Sequence, residues 1–129
     1  MRTLQYEKIL LEMAGSDERA VYAILVSHVG AENRITREQL SRKVFGKYNA
    51  SVDRTVRKHI SNMRMNGRLI CSDSGGSGGY YLPETIAEVD NLITELESRA
   101  NRLYEESRIM RRTAIEQFTD NPQIRMSYD

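Results

Sequence analysis

From Pro83 to about Phe118 the chain contains no glycine and no further proline. Within that stretch Ile86, Val89, Ile93, Leu96, Ala100, Leu103, Ser107, Met110 and Ala114 alternate at spacings of 3 and 4. That is an apolar seam of period 3.5 sustained over four heptads, the pattern of a helix that pairs with another helix. A helix of about 35 residues is about 50 Å long at 1.5 Å per residue. A small domain covers only part of such a length, so the remainder needs a partner. Pro83 is expected in its first turn, where a missing N–H costs nothing. The turns from Ile86 to Ile93 are expected to pack on their own domain. Leu96, Ala100, Leu103, Ser107, Met110 and Ala114 are expected to form a homodimer interface. Ala100 and Ser107 weaken a simple two-stranded leucine zipper. They suit a close antiparallel crossing, or packing against a partner's N-terminal helix. Leu92, Ile109 and Ile115 lie off the seam and imply a wider interface.

The 129 residues amount to one domain with room for an appended element. The expected division is residues 1-83 as a globular domain, 84-118 as the long helix and 119-129 as a flexible tail. No run approaches the roughly 18 apolar residues of a membrane span. Glu7 and Lys8 interrupt the first apolar stretch, which argues against a secretory signal. The one cysteine, Cys71, excludes a disulfide framework and points to a reducing, cytoplasmic location.

The first 83 residues read as helices closed by a hairpin. Leu4, Ile9, Leu10 and Met13 predict a short first helix. Asp17 and Glu18 open a second, with acid where the helix dipole favours it. Its core stripe is Val21, Ile24, Leu25 and His28, and Gly30 is expected to stop it. Arg34-Ile35 forms one rung of a small sheet. Thr36 and Gln39 form a capping box for a helix over Arg37 to Val44, ended by Gly46. Ser51 is expected to cap the next helix, Val52 to about Asn66. Its apolar stripe is Val52, Val56, Ile60 and Met63, and Asn66-Gly67 provides its stop. Leu69-Ile70-Cys71 and Tyr80-Tyr81-Leu82 flank a Gly/Ser loop and predict a β-hairpin. The fold class is mainly α with a small β-hairpin (α+β).

The net charge of +1 conceals a segregation. Between Asn33 and Arg68 stand ten basic residues against Glu38 and Asp53, a net +8. The rest of the chain carries nine basic and sixteen acidic residues, a net −7. A compact basic block on two helices is the electrostatic footprint of a nucleic-acid binder. Ser51, Arg54, Arg57, Lys58 and Asn62 are positioned to reach base edges from the second basic helix. Arg37, Arg42, Lys43, Lys47 and Arg64 are candidates for phosphate. The hairpin tip offers only Ser74 and Ser77 hydroxyls and backbone N–H groups. Asp53 reads more naturally as an N-terminal helix charge than as a partner for cytosine.

The ordered set Ile35-Thr36-Arg37-Glu38-Gln39-Leu40-Ser41, Ser51-Val52-Asp53-Arg54-Thr55-Val56-Arg57-Lys58-His59-Ile60, Met63-Arg64-Met65-Asn66-Gly67 and Gly78-Gly79-Tyr80-Tyr81-Leu82 resembles the biotin-repressor-like winged helix-turn-helix domains of small bacterial and phage regulators. The resemblance covers about 48 residues, Ile35 to Leu82. It departs at Gly46 to Ala50, a longer turn than the family's usual one. It implies a DNA-binding winged helix and leaves the regulated process open.

Other chemistries find little support. His28, His59 and Cys71 lack zinc-ligand spacing. The run Gly75-Gly76-Ser77-Gly78-Gly79 is followed by no Lys-Ser/Thr and no helix, unlike a phosphate loop. No nucleophile, base and orienter stand out, so no cofactor and no enzyme are expected. His59 and the Tyr80-Tyr81 pair read as packing residues, and the six methionines as core filler. The expected function is sequence-specific binding of double-stranded DNA by a homodimeric, cytoplasmic, nucleoid-associated transcription regulator. The alternatives are a phage or plasmid replication or partition factor and a winged-helix protein-protein interaction module.

Overall fold

The computed structural model describes residues 2–73 and 78–118. The expected tail, 119-129, and the hairpin-tip residues Ser74 and Ser77 lie outside the described residues. In chain order the elements are α1 (Arg2–Glu12), α2 (Asp17–Leu25), a 3-10 turn (Ala31–Asn33), α3 (Arg37–Phe45), α4 (Ala50–Met65), β1 (Cys71–Asp73), β2 (Gly79–Tyr81) and α5 (Ile86–Gln117). The protein is thus mostly helical with one small two-stranded antiparallel sheet. Two compact units are distinguished, with their boundary between Leu92 and Ile93.

In the first unit a single core gathers residues from every helix up to α4 and from the hairpin. Tyr6, Val21, Tyr22, Leu25, Ile35, Leu40, Val56, Ile60, Met63, Ile70, Tyr80 and Leu82 are all buried. The stripe Val52, Val56, Ile60 and Met63 is the inward face of α4, as its spacing predicts. In α1 the anchor is Tyr6, whose hydroxyl donates to the Pro83 carbonyl. Leu4, placed on the packing face from sequence, is exposed. Leu4 stands two residues before Tyr6, about 200° round the helix, so with the Tyr6 ring turned into the core and its hydroxyl bonded, Leu4 faces outward.

The helix ends follow local capping chemistry. Ser16 caps α2, accepting from the Arg19 N–H. Thr36 and Gln39 form the expected reciprocal box at α3, with bonds of 3.1 and 3.2 Å, and Gly46 closes α3 at φ 75°. The cap of α4 is Asn49, not Ser51. Its carboxamide oxygen accepts from the Val52 N–H at 2.9 Å, so Ser51 lies inside the first turn. Asparagine and serine cap about equally well, and the extended backbone at Asn49 decides between them. At the far end the Arg68 N–H bonds the Met63 carbonyl and the Gly67 N–H bonds that of Arg64. This is a Schellman stop, with Gly67 at φ 88°.

Gly30 does not end α2, which stops at Leu25. Its N–H instead bonds the Leu82 carbonyl at 2.8 Å, and the Leu82 N–H bonds the His28 carbonyl at 2.9 Å. Ile35 exchanges two bonds with Tyr80, at 2.9 and 3.0 Å, which makes it the predicted rung beside β2. Within the hairpin Cys71 faces Tyr81, Ser72 faces Tyr80 and Asp73 faces Gly79.

Pro83 precedes α5 without entering it. The start of that helix is instead a second capping box. Thr85 Oγ1 accepts from the Glu88 N–H, and Glu88 Oε1 accepts from the N–H groups of Glu84 and Thr85. The other Glu88 oxygen accepts from the Ala31 N–H at 2.7 Å. Burial pushes the Glu88 carboxyl up, but these three backbone donors outweigh it and hold its pKa below the usual carboxylate value. Burial likewise raises the Cys71 thiol to about 11, so it stays protonated and inert at neutral pH.

Candidate nucleic-acid interface

Helix α4 is amphipathic by construction. With Val52, Val56, Ile60 and Met63 turned into the core, the 100° step per residue turns Ser51, Arg54, Lys58 and Asn62 away from it, and all four are exposed. Arg57 is exposed as well, and its Nε lies 3.2 Å from Asp53 Oδ2, one turn back. The Asp53 side chain is only 14% exposed against 58% for Arg57. Asp53 therefore turns towards the protein, and its second oxygen is buried without a hydrogen-bond partner among the described residues. This geometry makes Asp53 a local anchor for Arg57. The buried ring beside it is Tyr80, whose hydroxyl pKa is raised by burial and by Asp53 and lowered by Arg37, Arg64 and Arg57.

The flanking cations come from α3 and the turn after it. Arg42, Lys43 and Lys47 are exposed. Arg42 pairs with Glu38 at 3.3 Å. Lys43, Lys47, Arg54 and Lys58 have no ion-pair partner among the described residues. The two acids of the basic block, Glu38 and Asp53, are each matched to an arginine one turn along the same helix. The outward surface of α3 and α4 therefore keeps a net positive charge, available for anions at ordinary salt.

Two of the expected phosphate contacts, Arg64 and Arg37, are half-buried where the others are exposed. Arg64 is half-buried and donates from Nε to the Ile70 carbonyl at 2.7 Å and from Nη2 to Ser72 Oγ at 3.1 Å. It fastens β1 to the end of α4. Arg37 is half-buried against the second strand's approach, with its Nε 2.7 Å from where a Gly78 Cβ would stand. A side chain at position 78 would have to displace Arg37 and to adopt the left-handed backbone, φ 70°, that favours glycine. Arg34, counted in the basic block but not among the site residues, pairs with Asp73 at 3.5 Å. The hairpin base is thus tied down by Arg64 and Arg34, while Arg37 lies beside Gly78 with its Nε buried and without a hydrogen-bond partner among the described residues.

Sequence reasoning missed one surface residue. Met65 is 86% exposed, in line with Arg54, Lys58 and Ser61 on the outer face of α4. Its spacing off the 52, 56, 60, 63 stripe already carried that signal. The general rule that methionines fill cores concealed it. His59, expected as a packing residue, is half-buried and stacks on Phe45, with ring centroids 6.4 Å apart. Among the described residues no group of three or more His, Cys, Asp or Glu stands close enough to hold a metal ion. No helix among them is long and apolar enough to cross a membrane.

Compared with protein-family models, curated proteins and solved structures, the chain gives no match. The functional reading therefore rests on the physical character of this surface.

Proposed function

We propose that the protein binds double-stranded DNA in a sequence-specific manner as a homodimer and regulates transcription by occupying its site. In this reading α3 and α4 act as a helix-turn-helix, α4 enters the major groove, and the β1–β2 hairpin is the wing. Arg54 and Arg57 read guanine through paired donors, and Asn62 reads adenine. Ser51 and Lys58 complete the base-facing set. Lys43, Lys47 and Arg42, with Arg37 at the base of the wing, meet phosphate and set the register. Helix α5 holds two copies together.

The observation that carries this reading is the outer face of α4. A helix of 16 residues buries a clean apolar stripe and presents Arg54 and Lys58 with no acidic partner among the described residues. A protein-protein adaptor has no need of that concentration of unneutralised charge on one helix. Major-groove entry by a helix needs both the charge and the exposed polar side chains.

Salt dependence tests the electrostatic half of the proposal. Each phosphate neutralised contributes about −0.9 to the slope of log K against log salt. With four phosphate-facing cations per protomer, affinity should fall at least about a hundredfold between 50 and 200 mM salt. Fluorescence anisotropy on a labelled duplex reads this directly. A flat dependence would contradict DNA binding through this face.

A further inference from the structure

Helix α5 contains no fully buried residue, and Ile93, Leu103 and Met110 of its seam are prominently exposed. Its charges are sorted along its length. From Ile86 to Ser98 it carries Glu88, Asp90, Glu95 and Glu97 and no basic residue. From Arg99 to Arg112 it carries five arginines against Glu105 and Glu106. The helix dipole favours such a gradient only within the first and last turns, and at mid-helix Arg99 pairs with Glu95 one turn back at 2.8 Å, which leaves Glu97 and Arg102 unaccounted for by the helix itself.

We propose that the partner of this face is a second copy of α5, running antiparallel, with the two-fold axis between Asn101 and Arg102. This refines the homodimer reading above and rests on it. In this register Ile93 meets the partner's Met110, Leu96 meets the partner's Ser107, and Ala100 meets the partner's Leu103. The small seam residues Ala100 and Ser107 each face a leucine, so neighbouring layers fill evenly. A parallel pair in register would instead stack Ala100 on the partner's Ala100 and Ser107 on the partner's Ser107. Both layers would be under-filled.

The flanking positions discriminate further. The antiparallel register sets Asp90 against the partner's Arg111 and Arg99 against the partner's Glu106, each twice by symmetry. No like charges oppose one another. Sliding by one heptad in one direction sets Arg99 against the partner's Arg99 and Glu97 against the partner's Glu97. Sliding the other way forms one kind of attractive pair, Glu97 with the partner's Arg111, but loses both others and opposes Glu106 with the partner's Glu106. The parallel pair aligns the two acidic halves side by side and forms Glu106–Arg111 as its one flanking ion pair. Charge thus selects both the direction and the register.

Cysteine cross-linking tests this on the full chain. Ile93 and Met110 are exposed in the protomer, so Ile93→Cys and Met110→Cys leave the core intact. The native Cys71 is buried and stays out of the reaction. In the proposed register the two copies of residue 93 stand about 25 Å apart along the axis, far beyond the roughly 7 Å limit for a disulfide. Mixing the two single variants under mild oxidation is expected to give the covalent 93–110 heterodimer, while each variant alone stays uncross-linked. Self-cross-linking of Ile93→Cys, or no cross-link in the mixture, would overturn the arrangement. A second mixture, Arg99→Glu with Glu106→Arg, is expected to favour the heterodimer over either homodimer by roughly tenfold. No preference would also count against the register. Neither readout involves DNA, so failure here leaves the DNA-binding reading to its own test, and sedimentation of the wild-type chain separates a wrong register from the absence of a dimer.

Discussion

Exchanging Arg54 and Arg57 together for alanine is expected to reduce specific DNA affinity by about a hundredfold or more. Each guanine-reading arginine contributes about 1–3 kcal/mol of discrimination, so two lost together amount to roughly 2–6 kcal/mol. Both side chains are exposed, so no core packing is lost. The one structural interaction removed is the Arg57–Asp53 pair at 3.2 Å. Because the Asp53 side chain is only 14% exposed, losing its cation leaves a largely buried carboxylate and costs about 1–3 kcal/mol. The double variant should therefore remain folded with a melting temperature several degrees below the wild type and retain weak, salt-sensitive binding through Lys43, Lys47 and Arg42. Anisotropy titration and a circular dichroism melt measure the two quantities. Undiminished specific binding by a folded variant would remove α4 from the recognition role.

Ending the chain after Ile93 is expected to abolish dimerisation and to weaken binding to a two-half-site duplex by about 10²- to 10⁴-fold. Joining two binding modules raises avidity by that factor through effective concentration alone. The buried core runs from Tyr6 to Leu82, and the Glu88 capping box that starts α5 is retained, so the shortened protein keeps the interactions that fold the first unit. Binding to a single half-site should change little. Sedimentation velocity should show a monomer. A dimer that survives the cut would place the interface on the first unit.

The two predictions draw on parts of the chain that differ in how openly the sequence displays them. Periodic features were legible. The 4, 4, 3 spacing from Val52 to Met63 identifies the buried face of α4, and with it the outer face that carries Arg54 and Lys58. The Thr36 and Gln39 box fixes the start of α3 because both halves of the motif are local. The 3.5-residue seam marks α5, which ends at Gln117. Degenerate local signals misled. Asn49 and Ser51 are both good caps two residues apart, and only the backbone conformation chooses between them. Pro83 satisfies the rule for a first helical residue, yet Thr85 and Glu88 form the stronger start two residues later.

Side-chain contacts between segments were not legible. Nothing in periodicity shows that Arg64 reaches the Ile70 carbonyl and Ser72, so an arginine that fastens the hairpin reads like a phosphate ligand. Asp53 reads from the sequence as an N-terminal helix charge. Its pairing with Arg57 and its inward turn beside Tyr80 follow from the packing of the hairpin there. Gly30 shows the same limit. Its positive φ suits a helix stop, and the structure uses it to let the backbone meet Leu82 instead.

Selection of bound duplexes from a random double-stranded DNA pool tests the central claim most directly. A sequence-specific homodimer should enrich a motif with two-fold symmetry, containing guanine-rich half-sites read by Arg54 and Arg57. Enrichment should collapse when the double alanine variant replaces the wild type. A pool that stays random through successive rounds, at salt low enough for non-specific binding to be seen, would contradict sequence-specific recognition by this protein.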